Sequence, residues 1–484
     1  MFAIYSNLRR FCLLMFLLSS LVLAQANNPA PAAATSDSSD LSQQVIELRS
    51  LVQKLQARVD ELERRSQAQP GASIAPPADS PSQPTNAAPQ QQAQAQTTIT
   101  QTPSPTASSG PDFLHGTTFN LLIDGYYGYN FNDPIGRVNL LRAYDISSNA
   151  FSLNQAALVI ESAADPDNGK RFGLRLDLQY GQATETLQGN PSNEPRPDIY
   201  RNIFQAYGTY VFPIGKGLTV DFGKFASSLG IEGNYTKDQI NYSRSYLFDF
   251  LPFYHMGVRA TYKFNDKLAF NYWIVNGTQQ TEPFNGFKDE FFGFTITPNK
   301  NITWNVNYYL GQEHADVIFF PNGGAPLNLP TEQGVAFEPI LNPPAGKLHI
   351  FDTYVSWQTM PKLTFALEAD DELERLYTYS APSHTDGGAV YLRYQLTPKV
   401  ALAGRAEYLS DRGGLFTGVT QALKEGTFTT EYKFADGFLA RGEWRRDFSN
   451  QPYFLTDMLG ILKKDQATAT LGLVWWVGGK QGSW

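Results

Sequence analysis

Cysteine is almost absent: the sole one, Cys12, lies in the first 26 residues. If that segment is removed, nothing remains for a disulfide framework, a thiolate metal site or a cysteine nucleophile. A lipoprotein anchored through a cysteine at the cleavage point is excluded as well. Histidine is scarce too. His115, His255, His314, His349 and His384 are scattered, and none has metal-ligand spacing. There is no G-x-S-x-G elbow and no Walker loop. Positive charge is not in surplus, since the formal net charge is −8. Losing residues 1–26, which hold two arginines and no acid, takes it to −10. An acidic chain argues against nucleic acid as a partner. Long apolar runs are missing beyond Phe11–Ala24, and that run is shorter than the roughly 20 residues a spanning helix needs.

That short run reads as an address. Arg9 and Arg10 precede it, and Ala24-Gln25-Ala26 places small residues on either side of a spacer. This is a signal-peptide pattern for residues 1–26, with cleavage expected after Ala26. A secreted chain without an apolar helix can still cross a membrane as a closed barrel. Aromatic residues make up 13% of the chain although its mean hydropathy is negative. That pairing suits a barrel with a polar interior and aromatic girdles.

After a short disordered N-terminus at 27–40, residues 41–66 read as a coiled-coil helix. Leu41, Leu48, Leu55 and Leu62 fall at d, and Val45, Val52 and Val59 fall at a. A seven-residue repeat over three heptads requires a supercoil, so residues 41–63 predict self-association. Residues 67–112 are rich in Pro, Ala and Gln and nearly free of large apolar residues, the composition of a disordered linker. As a flexible coil it would span roughly 35–40 Å.

From 113 to 484 one unit repeats about sixteen times: ten to fourteen residues with polar and apolar positions alternating. Between runs, long polar loops alternate with short turns such as Pro213–Gly217, Asn265–Lys267, Pro398–Lys399 and Ala435–Gly437. Both regularities predict an all-β fold, a closed antiparallel transmembrane β-barrel of about 16 strands with short turns in the periplasm and long loops outside. Sixteen strands leave a lumen wide enough for water. In 171–181, Phe172, Leu174, Leu176 and Leu178 face one way, and Arg175, Asp177 and Gln179 the other. A charge facing lipid at mid-depth costs about 2–4 kcal/mol, so the charged parity is expected to line the lumen. Candidate pore-lining residues are Arg175, Asp177, Arg201, Arg259, Asp352, Glu368, Asp370, Arg393, Arg405, Glu407, Arg441, Glu443, Arg445 and Asp447. The runs 150–164 and 199–212 do not sort cleanly by parity, and Lys224 sits on the lipid parity.

The stretches GYYGYNFNDP (125–134), FSLNQAALVIE (151–161), RFGLRLDLQYGQAT (171–184) and LTVDFGKFASSLGIEG (218–233) resemble the beta-barrel porin type 2 family, the OmpL-like outer-membrane porins. The resemblance spans 113–484 and leaves out the stem and linker. It implies an outer-membrane channel of a Gram-negative bacterium, with the stem in the periplasm. General porins fold the third external loop inward. By that analogy 231–252 is the constriction-loop candidate, with Glu232, Lys237, Asp238, Arg244 and Asp249. The segment 313–346 is an alternative lid by its length.

The expected function is passive diffusion of small hydrophilic solutes or ions through a charged aqueous lumen. Expected partners are outer-membrane lipid and a homo-oligomer, trimer or dimer, formed through 41–63 and the barrel. No cofactor and no catalytic set are expected. Two alternatives are an envelope tether whose stem contacts periplasmic components, and an outer-membrane hydrolase resting on Asp370-Asp371. Adjacent strand residues point to opposite faces, which weakens the second.

Overall fold

The computed structural model describes residues 116–187, 194, 197–320, 336–480 and 482–484. The signal, stem and linker expected at 1–112 lie outside these residues. Sixteen strands make the barrel. They are β1 Thr117–Asn130, β2 Ala150–Ser162, β3 Phe172–Tyr180, β4 Ile203–Phe212, β5 Leu218–Ala226, β6 Tyr254–Asn265, β7 Leu268–Val275 and β8 Asp289–Asn299. There follow β9 Ile302–Gly311, β10 Leu348–Met360, β11 Leu363–Glu374, β12 Ser383–Gln395, β13 Val400–Arg412, β14 Gln421–Ala435, β15 Phe438–Ser449 and β16 Asp465–Gly478. Each pairs antiparallel with its sequence neighbours in the ring, and β1 pairs with β16 to close it. Closure leaves no edge strand with unpaired N–H and C=O groups, the condition for standing in hydrocarbon.

The expected alternation of connections holds. One end carries short turns, among them Asp436-Gly437, where Gly437 takes φ +84°, as a tight hairpin turn demands. The other end carries every long loop. The third strand, expected over 171–184, stops early, at Tyr180, because Gly181 at φ +105° turns the chain into α1, Gln182–Leu187. The fourth starts late, because Pro197 opens a single helical turn, α2, Pro197–Tyr200.

Bulges explain both strands that resisted parity. In β2 the pairing with β1 skips Asn154, so Asn154 and Gln155 are both buried. In β4 the pairing with β3 skips Phe204, so Phe204 and Gln205 are both buried. One extra residue in a strand reverses the facing of all that follows.

The outer surface is apolar around the ring. Leu121, Leu174, Phe222, Phe428 and Leu471 are each at least half exposed. Toward the short-turn end aromatics gather: Tyr210 and Phe212 meet at 4.8 Å, Tyr262 and Phe264 at 5.1 Å, and Phe434, Phe438 and Trp475 form a stack. An apolar band edged by aromatics is the surface that lipid selects. Lys224 is the exception on that face, and position explains it. It lies two residues from the long-loop end of β5, buried, with its ammonium 3.8 Å from the centre of the Tyr254 ring.

Candidate functional site

Residues 227–253 leave β5 and return to β6, yet they touch walls far from both. The reason is local chemistry. The wall presents carboxylates and guanidinium groups inward, and the loop presents backbone N–H and C=O groups that need partners. Gly230 N donates to Asp352 on β10 at 2.9 Å, and Ile231 N donates to Glu368 on β11 at 2.9 Å. Tyr242 N and Ser243 N donate to Glu443 on β15, at 2.6 and 2.9 Å. Arg441, also on β15, donates to the carbonyls of Thr236, Gln239 and Asn241. On the other side Tyr235 Oη reaches Asp177 on β3 at 2.5 Å, Thr236 reaches Gln155 on β2, and Tyr242 Oη reaches Asp124 on β1 at 2.9 Å. A loop rooted between β5 and β6 can touch β13–β15 and β1–β3 only by crossing the lumen.

A short helix, α3, Tyr246–Phe250, stiffens the crossing. Ser245 caps it by accepting from Phe248 N at 3.0 Å, and Glu407 on β13 accepts from Tyr246 N and Leu247 N at 2.8 Å each. The helix start thus meets a wall carboxylate, which satisfies two of its unpaired N–H groups.

The five loop candidates take different roles. Glu232 forms an ion pair with Arg405 on β13 at 2.8 Å and accepts from Ser245 N at 2.6 Å. Arg244 donates to the carbonyls of Gly233, Asn234 and Tyr242, and lies 4.5 Å from the centre of the Tyr144 ring. Lys237 pairs with Asp238 at 2.7 Å beside the Trp484 ring. Burial pulls the Lys237 ammonium below its usual range, and Asp238 opposes that pull. Burial pushes the Asp249 carboxyl up to about 6, against the opposing fields of Arg445 and Arg142.

The wall candidates form pairs. Arg175 and Asp177 join at 2.9 Å, Arg259 and Asp221 at 2.7 Å, and Arg393 and Glu431 at 2.7 Å. Arg405 also holds Glu425 at 2.6 Å, and Arg445 holds Asp447 at 2.8 Å. Arg405, Arg441, Arg445, Asp177 and Asp447 are at most 3% exposed, covered by the crossing loop. Arg259 and Arg393 keep side-chain exposures of 18% and 30%. Arg201 departs from expectation. It precedes β4, where the turn at Pro197 has displaced the strand start, and its ion partner is Asp198 at 4.0 Å. Asp370 faces inward and is buried, while Asp371 meets His384 at 2.7 Å on a more exposed surface, so the adjacent acids do diverge.

Sequence parity missed three features. The loop 131–149 also enters the lumen, where Arg142 pairs with Asp447 at 2.8 Å and donates to Thr468. The inner wall of β5–β10 carries an apolar cluster of Phe225, Trp273, Phe291, Tyr309 and Ile350. Alternation cannot separate an inward apolar residue from a lipid-facing one when both neighbours are apolar. Third, the chain turns inward after Gly478. Lys480 N donates to Asn120, Lys237 donates to Gly482 O, and Trp484 packs on Tyr235 with ring centres 5.8 Å apart. The last strand therefore stops at Gly478, and Trp484 lies in the short-turn mouth.

At that mouth a cavity of about 790 Å³ remains, lined by Asp238, Arg393, Gln395, Glu431, Lys433 and Arg441 among others. The profile of the family described as "Putative beta-barrel porin-2, OmpL-like" matches residues 116–475. The chain belongs to that family. It is a porin of the outer membrane, with a channel-type barrel. Solved structures show likeness of fold. OmpT, an outer membrane protein of Vibrio cholerae, is 11% identical, with a TM-score of 0.45 over 75% of this chain and 97% of that one. An anion-selective porin from Comamonas acidovorans is 7% identical, with a TM-score of 0.48 over 75% and 99%. OprB of Pseudomonas putida is 12% identical, with a TM-score of 0.48 over 75% and 95%. No curated protein matches the porin.

Proposed function

We propose that this porin passes small hydrophilic solutes or ions by passive diffusion, without catalysis, through a path narrowed by residues 227–253. The observation that carries the reading is the loop itself: it crosses the lumen on wall carboxylates and guanidinium groups, while a charged cavity stays at the short-turn mouth. Of the wall charges, Arg259 and Arg393 with their paired acids would meet solute, whereas Arg405, Glu407, Arg441, Glu443, Arg445 and Asp447 would act on solute indirectly by holding the loop. Rings and ladders of charge filter ions at such depths. The short turns would face the periplasm of a Gram-negative cell, with a stem at 41–66 that joins copies into a dimer or trimer after loss of residues 1–26.

Purified full-length protein in planar bilayers is expected to give stepwise conductance, with a reversal potential in a salt gradient reporting cation or anion preference. A folded barrel that stays silent across voltage and salt would sink the open-pore reading. Crosslinking of the full chain beside a chain lacking 27–66 tests the stem. Equal oligomer in both would assign association to the barrel alone.

A further inference from the structure

Asp352, Glu368 and Asp370 face inward from β10 and β11, at 0%, 4% and 6% exposure. Asp352 stands directly opposite Asp370 across the strand ladder. Like charges in that position repel, and the cost grows once water is removed. Among the described residues no lysine or arginine forms an ion pair with any of the three. Arg405, on the same wall, is engaged by Glu232 and Glu425. The groups that do bond to them are neutral: Gly230 N and Asn307 to Asp352, Ile231 N and Tyr391 Oη to Glu368. A second observation points to a missing partner. Both carboxylate oxygens of Asp370 are buried, and neither accepts a hydrogen bond. Buried polar atoms in native proteins are nearly always satisfied, charged ones above all.

We propose that these three side chains bind a divalent cation of the calcium class. One oxygen from each lies within 4.8 Å of the others. Ligands on opposite sides of a calcium ion at about 2.3–2.6 Å stand about 4.6–5.2 Å apart, so one ion can reach all three. The donors are all oxygen, which selects a hard cation over zinc or copper. The oxygens already bonded to the loop keep a free lone pair for the metal. The ion would therefore sit at the root of the crossing loop, neutralising the two carboxylates that hold Gly230 and Ile231. This role is separate from the channel reading, because it is measured by binding rather than by current.

The test uses the full-length protein in detergent with terbium as probe, excited through Tyr354 and Tyr391, and calcium as competitor. Wild type is expected to show sensitised emission that calcium displaces. Asp370→Asn and Glu368→Gln should each weaken calcium competition by tenfold or more. Asp386→Asn, which removes an exposed acid, should leave it unchanged. Heat-dependent gel mobility reports folding for each variant, and Glu368→Gln carries the test if Asp370→Asn does not fold. Folded wild type without calcium-competed emission up to about 10 mM, beyond the weakest extracellular calcium sites, would overturn the proposal. Equal competition in wild type and both variants would overturn it too. Greater stability of Asp370→Asn with no calcium dependence would assign the cluster to shared protons instead.

Discussion

Single side chains decide whether the crossing loop stays in place. Glu443 is the clearest case, since its carboxylate accepts from Tyr242 N, Ser243 N and Thr429 Oγ1 and has little other access. Glu443→Ala leaves two buried N–H groups without partners, at about 1–3 kcal/mol each. The expected outcome is a folded barrel whose single-channel current is larger and noisier than wild type. Glu443→Gln, which keeps one acceptor, should fall between. A quiet, wild-type current in the alanine variant would show that Glu443 does not hold the loop. Asp249 adds a pH dependence. Its carboxyl is pushed up to about 6 by burial, so the docked loop favours the protonated form. A raised acid stabilises the docked state fully below its free value and loses that contribution as pH rises through the raised one. Docking should therefore be tightest near pH 4, weaken through about pH 6, and then level off. Conductance recorded from pH 4 to 7 is expected to rise, and Asp249→Asn should flatten the rise.

At the scale of strands and loops, regular chemistry was legible and irregular chemistry was not. Alternation gave the number of strands, because lipid outside and water inside impose opposite demands on neighbouring residues. It also put Arg175, Asp177, Arg441 and Glu443 on the inner face, where they lie. It failed at Asn154 and Phe204, where a bulge costs one residue of register and leaves no compositional mark. It could not foresee Arg142 or the inward tail, because loop paths depend on partners remote in sequence. Loop 227–253 could be foreseen only by analogy, because what holds it is a set of contacts with distant wall residues, such as Asp177, 58 positions from Tyr235, and Arg441, 205 from Thr236. The described part of 313–346 contains the two strands Val317–Phe320 and Ala336–Pro339, which pair with each other. Gly472 on β16 tests the loop as an element. A Cβ there would stand 2.2 Å from the Tyr242 ring, so even Gly472→Ala must displace that ring from its bond to Asp124. The variant is expected to fold with normal heat-dependent mobility and to conduct more than wild type. If its current matched wild type, Tyr242 would not be part of the barrier.

For the molecule as a whole, wall and filling are separable by their bonding. The wall is closed by sixteen antiparallel ladders, none of which uses a residue from 227–253 as a strand partner. The filling is held by side chains, and it brings apolar groups such as Leu229, Leu247 and Leu251 into clusters on the inner wall. A barrel that lost this loop would keep its hydrogen-bonded closure and its lipid-facing band, but would expose inward apolar surface at about 25 cal/mol per Å². Replacing 231–250 by a short Gly-Ser segment should therefore leave a barrel that still migrates as folded in detergent and unfolds at a lower temperature. With 231–250 gone, only loop 131–149 and the tail after Gly478, among the described residues, still enter a sixteen-strand lumen, so its conductance should rise several-fold above wild type. Retained folding with unchanged current would mean that solute passes the loop elsewhere, along β5–β9, where Arg259 keeps its exposure.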